Sequence, residues 1–263
     1  MQPDLTTYDV LLLNTSAGKD SQAMMDYVVP LADEAGVRDR LVAVHADLGR
    51  MEWPGTRELA EEQAAHYGIR FEVRRREQGD LLTQVRDRGM WPDNARRYCT
   101  SDQKRGPVLR LMTQLTAEVR ATTSKQVRIL NMMGLRAEES RARALRVDFS
   151  HNDRASNGRR HVDEWLPIHT WTEAEVWTRI HASGVRSHPA YALGMPRLSC
   201  RFCILASRSA LVLSAQLNPE LAAEYVEVEQ AIGHRFRKDL SMAEVVELAA
   251  ATPPIQQVED WAA

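Results

Sequence analysis

"LLLNTSAGKDSQAMM" (residues 11–25) decides the fold. An apolar run through Leu13 gives way to small residues at Ser16, Ala17 and Gly18, and then to a segment with helical spacing. A strand, a small-residue turn and a helix in that order bring backbone N–H groups and a positive helix end to one point, which suits an anion. Lys19 adds a mobile charge, Ser21 a hydroxyl in the first turn, and Asp20 a carboxylate able to hold magnesium or cap the helix. The glycine spacing of the common nucleoside-triphosphate loop is missing, so that loop is not the explanation. An ordinary helix-start turn is the bland alternative.

The same alternation continues outward. "YDVLLLN" (8–14), "RLVAVHA" (40–46), "IRFEVRR" (69–75) and "VRILNMMG" (127–134) read as strands. Helices are expected over 19–35, from Pro54 to Tyr67, near 103–117 and over 170–184, the last with a Thr172/Glu175 capping box. Strands alternating with helices imply a doubly wound, mainly parallel α/β sheet. Ligands in such folds sit at the carboxyl ends of the strands, near the switch point in strand order. The polar segment 148–164 reads as an excursion or mobile loop. The division expected is residues 1–215 as the main domain and 216–263 as a helical, acidic C-terminal extension.

Four further segments carry a resemblance. "SAGKDS" (16–21) resembles the S-G-G-K-D-S loop of the adenine-nucleotide α-hydrolase-like ATP pyrophosphatases, with Ala17 in place of a glycine. "VHADLGRMEWPGT" (44–56), "RRYCTSDQKRGPV" (96–108), "GLRAEESRAR" (134–143) and "HPAYALGMPRLSCRFCILAS" (188–207) are similar to motifs of the phosphoadenosine-phosphosulfate reductase branch. The matching positions include Asp47, Gly49, Arg97, Cys99, Thr100, Lys104, Pro107, Gly134, Arg136, Glu139, Ser140 and Arg143. The resemblance implies ATP cleavage between the α and β phosphates, with AMP left on a substrate. It implies ATP and Mg2+ at Ser16, Ala17, Gly18, Lys19, Asp20, Ser21, Asp47, Gly49, Gly134 and Arg136. Lys19, Asp20, Lys104 and Arg136 are the implied catalytic residues. The reductases' E-C-G-x-H tail has no counterpart in "PPIQQVEDWAA" (253–263), so the expectation is reductase-like architecture without reductase chemistry.

Cys99, Cys200 and Cys203 are the only cysteines. C-x-x-C plus a third cysteine in another matching segment points to metal or sulfur chemistry. Three thiolates suit a 4Fe-4S cluster with one open iron. Zinc completed by His188 or an acidic residue, a persulfide relay, and plain structural thiols stay open. The nearest likeness within the family is to the ATP pyrophosphatases of DNA phosphorothioation. It implies a DNA substrate, a cysteine desulfurase as sulfur donor, companion DNA-modification proteins, and leaves room for a homodimer. Thiolation of a tRNA base or small metabolite is the alternative. A non-catalytic ATP-binding scaffold or sensor is an alternative of another class.

Bulk properties agree with a soluble globular protein. Net charge is −2, hydrophobic residues make up 44%, and no run approaches the roughly 20 apolar residues of a membrane helix. Neither a basic flank nor an apolar secretion core opens the chain, so cytoplasmic localisation is expected. Arg154, Arg159 and Arg160 are the expected polynucleotide contacts, with Arg74, Arg75 and Arg76 extending the track. His45, His66 and His181, and Trp165, Trp171 and Trp177, read as structural.

Overall fold

Helices covering both faces of a sheet require strands with near-continuous apolar runs. Those runs form the centre of the protein, a computed structural model that describes residues 2–255 and 261. The strands are β1 (Val10–Thr15), β2 (Leu41–Asp47), β3 (Arg70–Arg75), β4 (Val127–Met133), β5 (Phe149–His151) and β6 (Arg160–Trp165), in sheet order β3-β2-β1-β4-β6-β5. β1 runs parallel to β2 and β4, and β4 parallel to β6; β5 closes the edge antiparallel to β6. Strand order reverses between β1 and β4, so the loops after these two strands flank the switch point.

The chain forms two units, each assembled from separated segments. The first comprises residues 1–46, 56–74 and 107–188. Its helices are α1 (Lys19–Glu34), α2 (Thr56–His66), α5 (Gly106–Arg120), α6 (Arg141–Ala144) and α7 (Glu173–Ser183). Strand alternation divides its core: Leu11 and Leu13 pack with Met24 and Val28 on one face, Val10 and Leu12 with Leu111 and Met112 on the other. α1 contains Pro30, which cannot donate to the carbonyl four residues back. That carbonyl, of Asp26, accepts instead from Arg179 Nη2 of α7 at 2.9 Å, while Tyr67 donates to the Asp26 carboxylate at 2.7 Å. The helix therefore continues through the proline.

The second unit comprises residues 47–55, 75–106 and 189–263. It holds α3 (Leu81–Arg88), the short α4 (Tyr98–Thr100), a π-helical turn (Ser101–Arg105), α8 (Arg208–Leu217), α9 (Pro219–Ile232) and α10 (Met242–Ala251). Its core is aromatic. Trp91 stacks on Tyr225 at 5.1 Å, Phe202 lies 4.9 Å from Tyr225, and Phe236 meets Trp91 edge-on at 5.2 Å.

Two expectations are corrected here. The boundary at 215/216 falls inside α8, because the apolar faces of α8, α9 and α10 share one core with Leu81, Leu82, Val85 and Trp91 rather than standing apart. The polar segment 148–164 is no excursion but the β5–β6 ribbon on the sheet. Its polar side chains satisfy one another: Asn152 donates to Glu164 at 2.7 Å, and Val162 N to Ser156 Oγ at 2.9 Å. Smaller shifts also occur. α2 starts at Thr56 rather than Pro54, and α5 at Gly106 after the π turn. The Thr172/Glu175 capping box forms as expected.

Candidate nucleotide site and thiol group

β1 delivers the chain to Ser16, and the turn that follows opens α1 at Lys19 with Gly18 as its N-cap. Gly18 offers no side-chain cap, so the first-turn N–H groups face the turn without a competing oxygen from it. Ser21 Oγ donates to Gly18 O at 2.9 Å and accepts from Ser16 N at 3.2 Å, which folds the loop into a ring. Ala17, fully buried, has φ +54°, the one non-glycine residue in the left-handed region among those described. The family's glycine would adopt this conformation freely; alanine bears a strain of about 1–2 kcal/mol.

The loop after β4 meets this turn. A Cβ on Gly134 would stand 2.6 Å from Asp20 O and 2.9 Å from Ser21 N, so only glycine allows the approach. Two residues on, Arg136 is 2% exposed and donates from Nε to Asp20 Oδ1 at 2.6 Å and from Nη1 to Glu138 Oε2 at 2.5 Å. Burial opposes its charge, but Asp20 and Glu138 outweigh burial and the guanidinium holds its proton more firmly than usual. Asp20 is thus an anchor for Arg136 as well as a candidate magnesium ligand. Lys19, buried at 1% exposure, reaches Glu173 Oε1 at 3.2 Å. Burial would raise the Glu173 carboxyl, yet Lys19 outweighs it and the pKa lies below the usual value. Glu173 and Glu138 were missed in sequence; no local pattern ties either to the loop.

The first unit thus brings together Ser16, Ala17, Gly18, Lys19, Asp20, Ser21, Gly134 and Arg136. Asp47 and Gly49 fall in the second unit. There Asp47 Oδ1 accepts from Gly49 N at 2.6 Å, and Gly49 takes φ +59° against the Arg75 guanidinium. His45 is buried with Nδ1 3.2 Å from Thr15 O, and Trp171 packs edge-on to Tyr27.

The three cysteines also gather in the second unit. Cys99 lies in α4, and Cys200 and Cys203 lie in the loop before α8. Cys99 and Cys200 pack against the same apolar cluster. Burial pushes the Cys200 thiol up to about 12 and raises Cys99 too, with Lys104 opposing in both. Lys104 is exposed on the π turn, a backbone irregularity frequent at functional sites. The three sulfurs do not lie within the 4.8 Å of one another that marks a single-ion group. As a donor set they suit a thiolate-ligated cluster: three soft, partly buried thiols, each within electrostatic reach of another, that ionise readily only against a compensating cation. His188, the proposed fourth zinc ligand, belongs to the first unit, 3.3 Å from Thr56 Oγ1.

The arginines divide. Arg154 and Arg159 are exposed. Arg160 is not a surface contact: it is buried, donating from Nε to Ala155 O at 2.6 Å and from Nη1 to Thr113 Oγ1 at 2.8 Å. Arg74 is engaged by Glu72 at 2.9 Å and Gln114 at 2.7 Å. Among the described residues, no helix is long and apolar enough to cross a membrane.

The parallel sheet, the switch-point loop and the glycine after β4 define an α/β nucleotide-handling architecture. The chain belongs to the phosphoadenosine phosphosulfate reductase domain family, whose profile matches residues 10–206. A curated relative, an uncharacterized 37.8 kDa protein of Escherichia phage 186, is 27% identical over 151 residues, 57% of this chain and 42% of that protein. The chain therefore spans less than half the length of that relative. The crystal structure of phosphoadenylyl-sulfate reductase from Candida auris, a phosphate complex, is 16% identical, covering 74% of this chain and 83% of that one at a TM-score of 0.50. At that identity the likeness is one of fold. The U34-tRNA thiolase of Methanococcus maripaludis, with its 4Fe-4S cluster, is 13% identical over 98% of this chain and 79% of that one, at a TM-score of 0.47.

Proposed function

We propose that this protein is an ATP pyrophosphatase that adenylates a nucleic-acid acceptor for sulfur incorporation, with the DNA backbone phosphate as acceptor. The observation that carries the reading is the ring of Ser16–Ser21 around the start of α1, with buried Lys19 inside the first turn and Gly134 closing on it. The N–H groups and Lys19 hold the departing pyrophosphate and stabilise its charge as the α-phosphate is attacked. Asp20 would be the protein ligand of the Mg2+ that accompanies ATP, an ion that when bound would share that charge. Arg136 orients Asp20. A non-bridging phosphate oxygen of the acceptor forms the new bond to the α-phosphorus, and the bond to the β-phosphate oxygen breaks.

Sulfur from a cysteine desulfurase, reduced from the persulfide to hydrosulfide by a thiol reductant, then bonds to the acceptor phosphorus, and the bond from that phosphorus to the oxygen shared with AMP breaks, so that AMP leaves with the oxygen. Cys99, Cys200 and Cys203 would hold a 4Fe-4S cluster, which when bound supplies an iron without a protein thiolate as a seat for exchangeable sulfur. Lys104 lowers the cost of ionising the neighbouring thiols. Arg154 and Arg159 are the proposed phosphate contacts on the acceptor.

Pyrophosphate release tests the first half. Wild-type protein should release pyrophosphate from ATP, and Lys19→Met should abolish this while remaining folded; release of orthophosphate with ADP rejects the reading. Mass spectrometry of nuclease-digested DNA and RNA, with and without the gene, tests the second. Phosphorothioate dinucleotides support the DNA acceptor, and a thiolated base instead rejects it. Sulfite release from a sulfonucleotide would identify reductase chemistry.

A further inference from the structure

The β5–β6 edge gathers a group that the nucleotide chemistry does not use. His161 and Asp163, two apart on β6, share one face, and His151 on β5 stands directly opposite Asp163 in the antiparallel register. His151 Nδ1 lies 3.1 Å and His161 Nε2 2.9 Å from the same oxygen, Asp163 Oδ1. The two imidazole centroids are 4.3 Å apart. Among the described residues this is the one group of three histidine, cysteine or acidic ligand atoms that all lie within 4.8 Å.

We propose that His151 Nδ1, His161 Nε2 and Asp163 Oδ1 form a site for a divalent transition-metal ion. Two ring nitrogens aimed at one carboxylate oxygen either each donate an N–H to it or share a single metal ion with it. An ion about 2.1 Å from each atom would subtend N–M–O angles of roughly 90° at the observed separations, as open transition-metal coordination allows.

The surroundings resemble those of a built site. Asp163 is 5% exposed, and its second oxygen accepts from Tyr8 OH at 2.9 Å and faces Arg128 Nη2 at 3.4 Å. The outer nitrogen of His151 faces the exposed Asp153 carboxylate, with Oδ1 at 3.5 Å. Arg128 withdraws part of the carboxylate's charge, and Asp153 returns some of it. Both histidine side chains are about one-third exposed, so solvent completes the coordination. Two imidazoles and one carboxylate select zinc, cobalt, nickel or iron(II) over magnesium and calcium. The ion would pin the edge ribbon to the sheet.

The test is Co2+ titration of the full chain, after chelator treatment, followed by absorption. One equivalent should give weak d–d bands without thiolate charge transfer, be displaced by Zn2+ and ignore Mg2+. His151→Ala and His161→Ala should each weaken that binding by about 10-fold or more. Zn2+ at 100 times its Kd should raise the Tm by about 5 °C or more, and less in either variant. These partly exposed histidines serve as the test because replacing buried Asp163 endangers folding. Uptake confined to thiolate-type absorption, no uptake, or d–d bands unchanged in both variants would overturn the site. None of these readouts involves ATP turnover, so the inference stands or falls apart from the proposed function.

Discussion

Gly134→Ala is the sharpest test of the nucleotide site. Gly134 is not in the left-handed region, so alanine is allowed by its backbone and the effect is purely one of contact. The added methyl would stand 2.6 Å from Asp20 O, 2.7 Å from Asp20 C and 2.9 Å from Ser21 N. All three atoms are backbone at the first turn of α1, so no side chain can swing aside. Reaching ordinary contact requires a retreat of about 0.8 Å by that turn or by the β4 loop, and overpacking of this kind costs about 1–3 kcal/mol. The expected Tm loss is about 2–10 °C, which leaves the protein folded.

On the proposed reading, the same displacement moves the N–H groups, Lys19 and the Asp20–Arg136 pair off the phosphates. A shift near 1 Å at a reacting centre costs about 100-fold, so pyrophosphate release should fall by between one and two orders of magnitude. Gly158→Ala is the control, since its Cβ would meet nothing within 4 Å. Coupled pyrophosphate detection and thermal unfolding read both effects. Wild-type turnover with an unchanged Tm in Gly134→Ala would show that the two loops do not meet as described.

Other perturbations address single contacts. Glu173→Gln removes the carboxylate that competes with phosphate for Lys19, and because Glu173 is half-exposed the KM for ATP should fall only about 2- to 5-fold; a rise would assign Glu173 to magnesium instead. Ala17→Gly should retain pyrophosphate release, whereas Ala17→Val, β-branched at φ +54° and buried, should lose nucleotide binding in calorimetry; equal binding by both would deny the strained turn. Burial raises the Cys200 thiol to about 12, so below the unfolded thiol's pKa its contribution is fully present. Metal-free protein should lose stability from about pH 9 upward, by at most about 1.4 kcal/mol per unit, and Cys200→Ala should flatten the slope in denaturant melts. An unchanged slope would place the thiol in contact with water.

What the sequence discloses here is what is decided within a few residues. The strand–turn–helix at Ser16–Ser21 and the Thr172/Glu175 box are local, and both form where their spacing puts them. The β5–β6 ribbon escaped because its residues pair across strands: Asp163 joins Tyr8, His151 and His161, and Arg160 joins Ala155 and Thr113, which makes a polar segment fit a sheet. The arginine count over that segment could not separate buried Arg160 from exposed Arg154 and Arg159. The unit boundaries escaped for a similar reason, since helices from 81–88 and 208–251 share one apolar core across more than a hundred residues of intervening chain.

The long-range pairs at the proposed nucleotide site point to how affinity is set. Lys19 holds Glu173, 154 residues away, and Arg136 holds Asp20, 116 residues away. Two buried cations beside an anion site would repel each other and lose hydration if left without carboxylates. Each partner therefore stabilises the empty site and weakens phosphate binding by what it contributes there. Glu173 is half-exposed and can leave for water, while Asp20 is largely enclosed and clasped by Arg136. On the proposed reading, triphosphate exchanges places with Glu173 at Lys19, and Asp20 stays to meet the magnesium that accompanies it. A ligand that brings the same phosphates without magnesium, ATP with chelator, meets the Asp20 carboxylate uncompensated and should bind far more weakly than MgATP in calorimetry; equal affinity would remove Asp20 from the magnesium site.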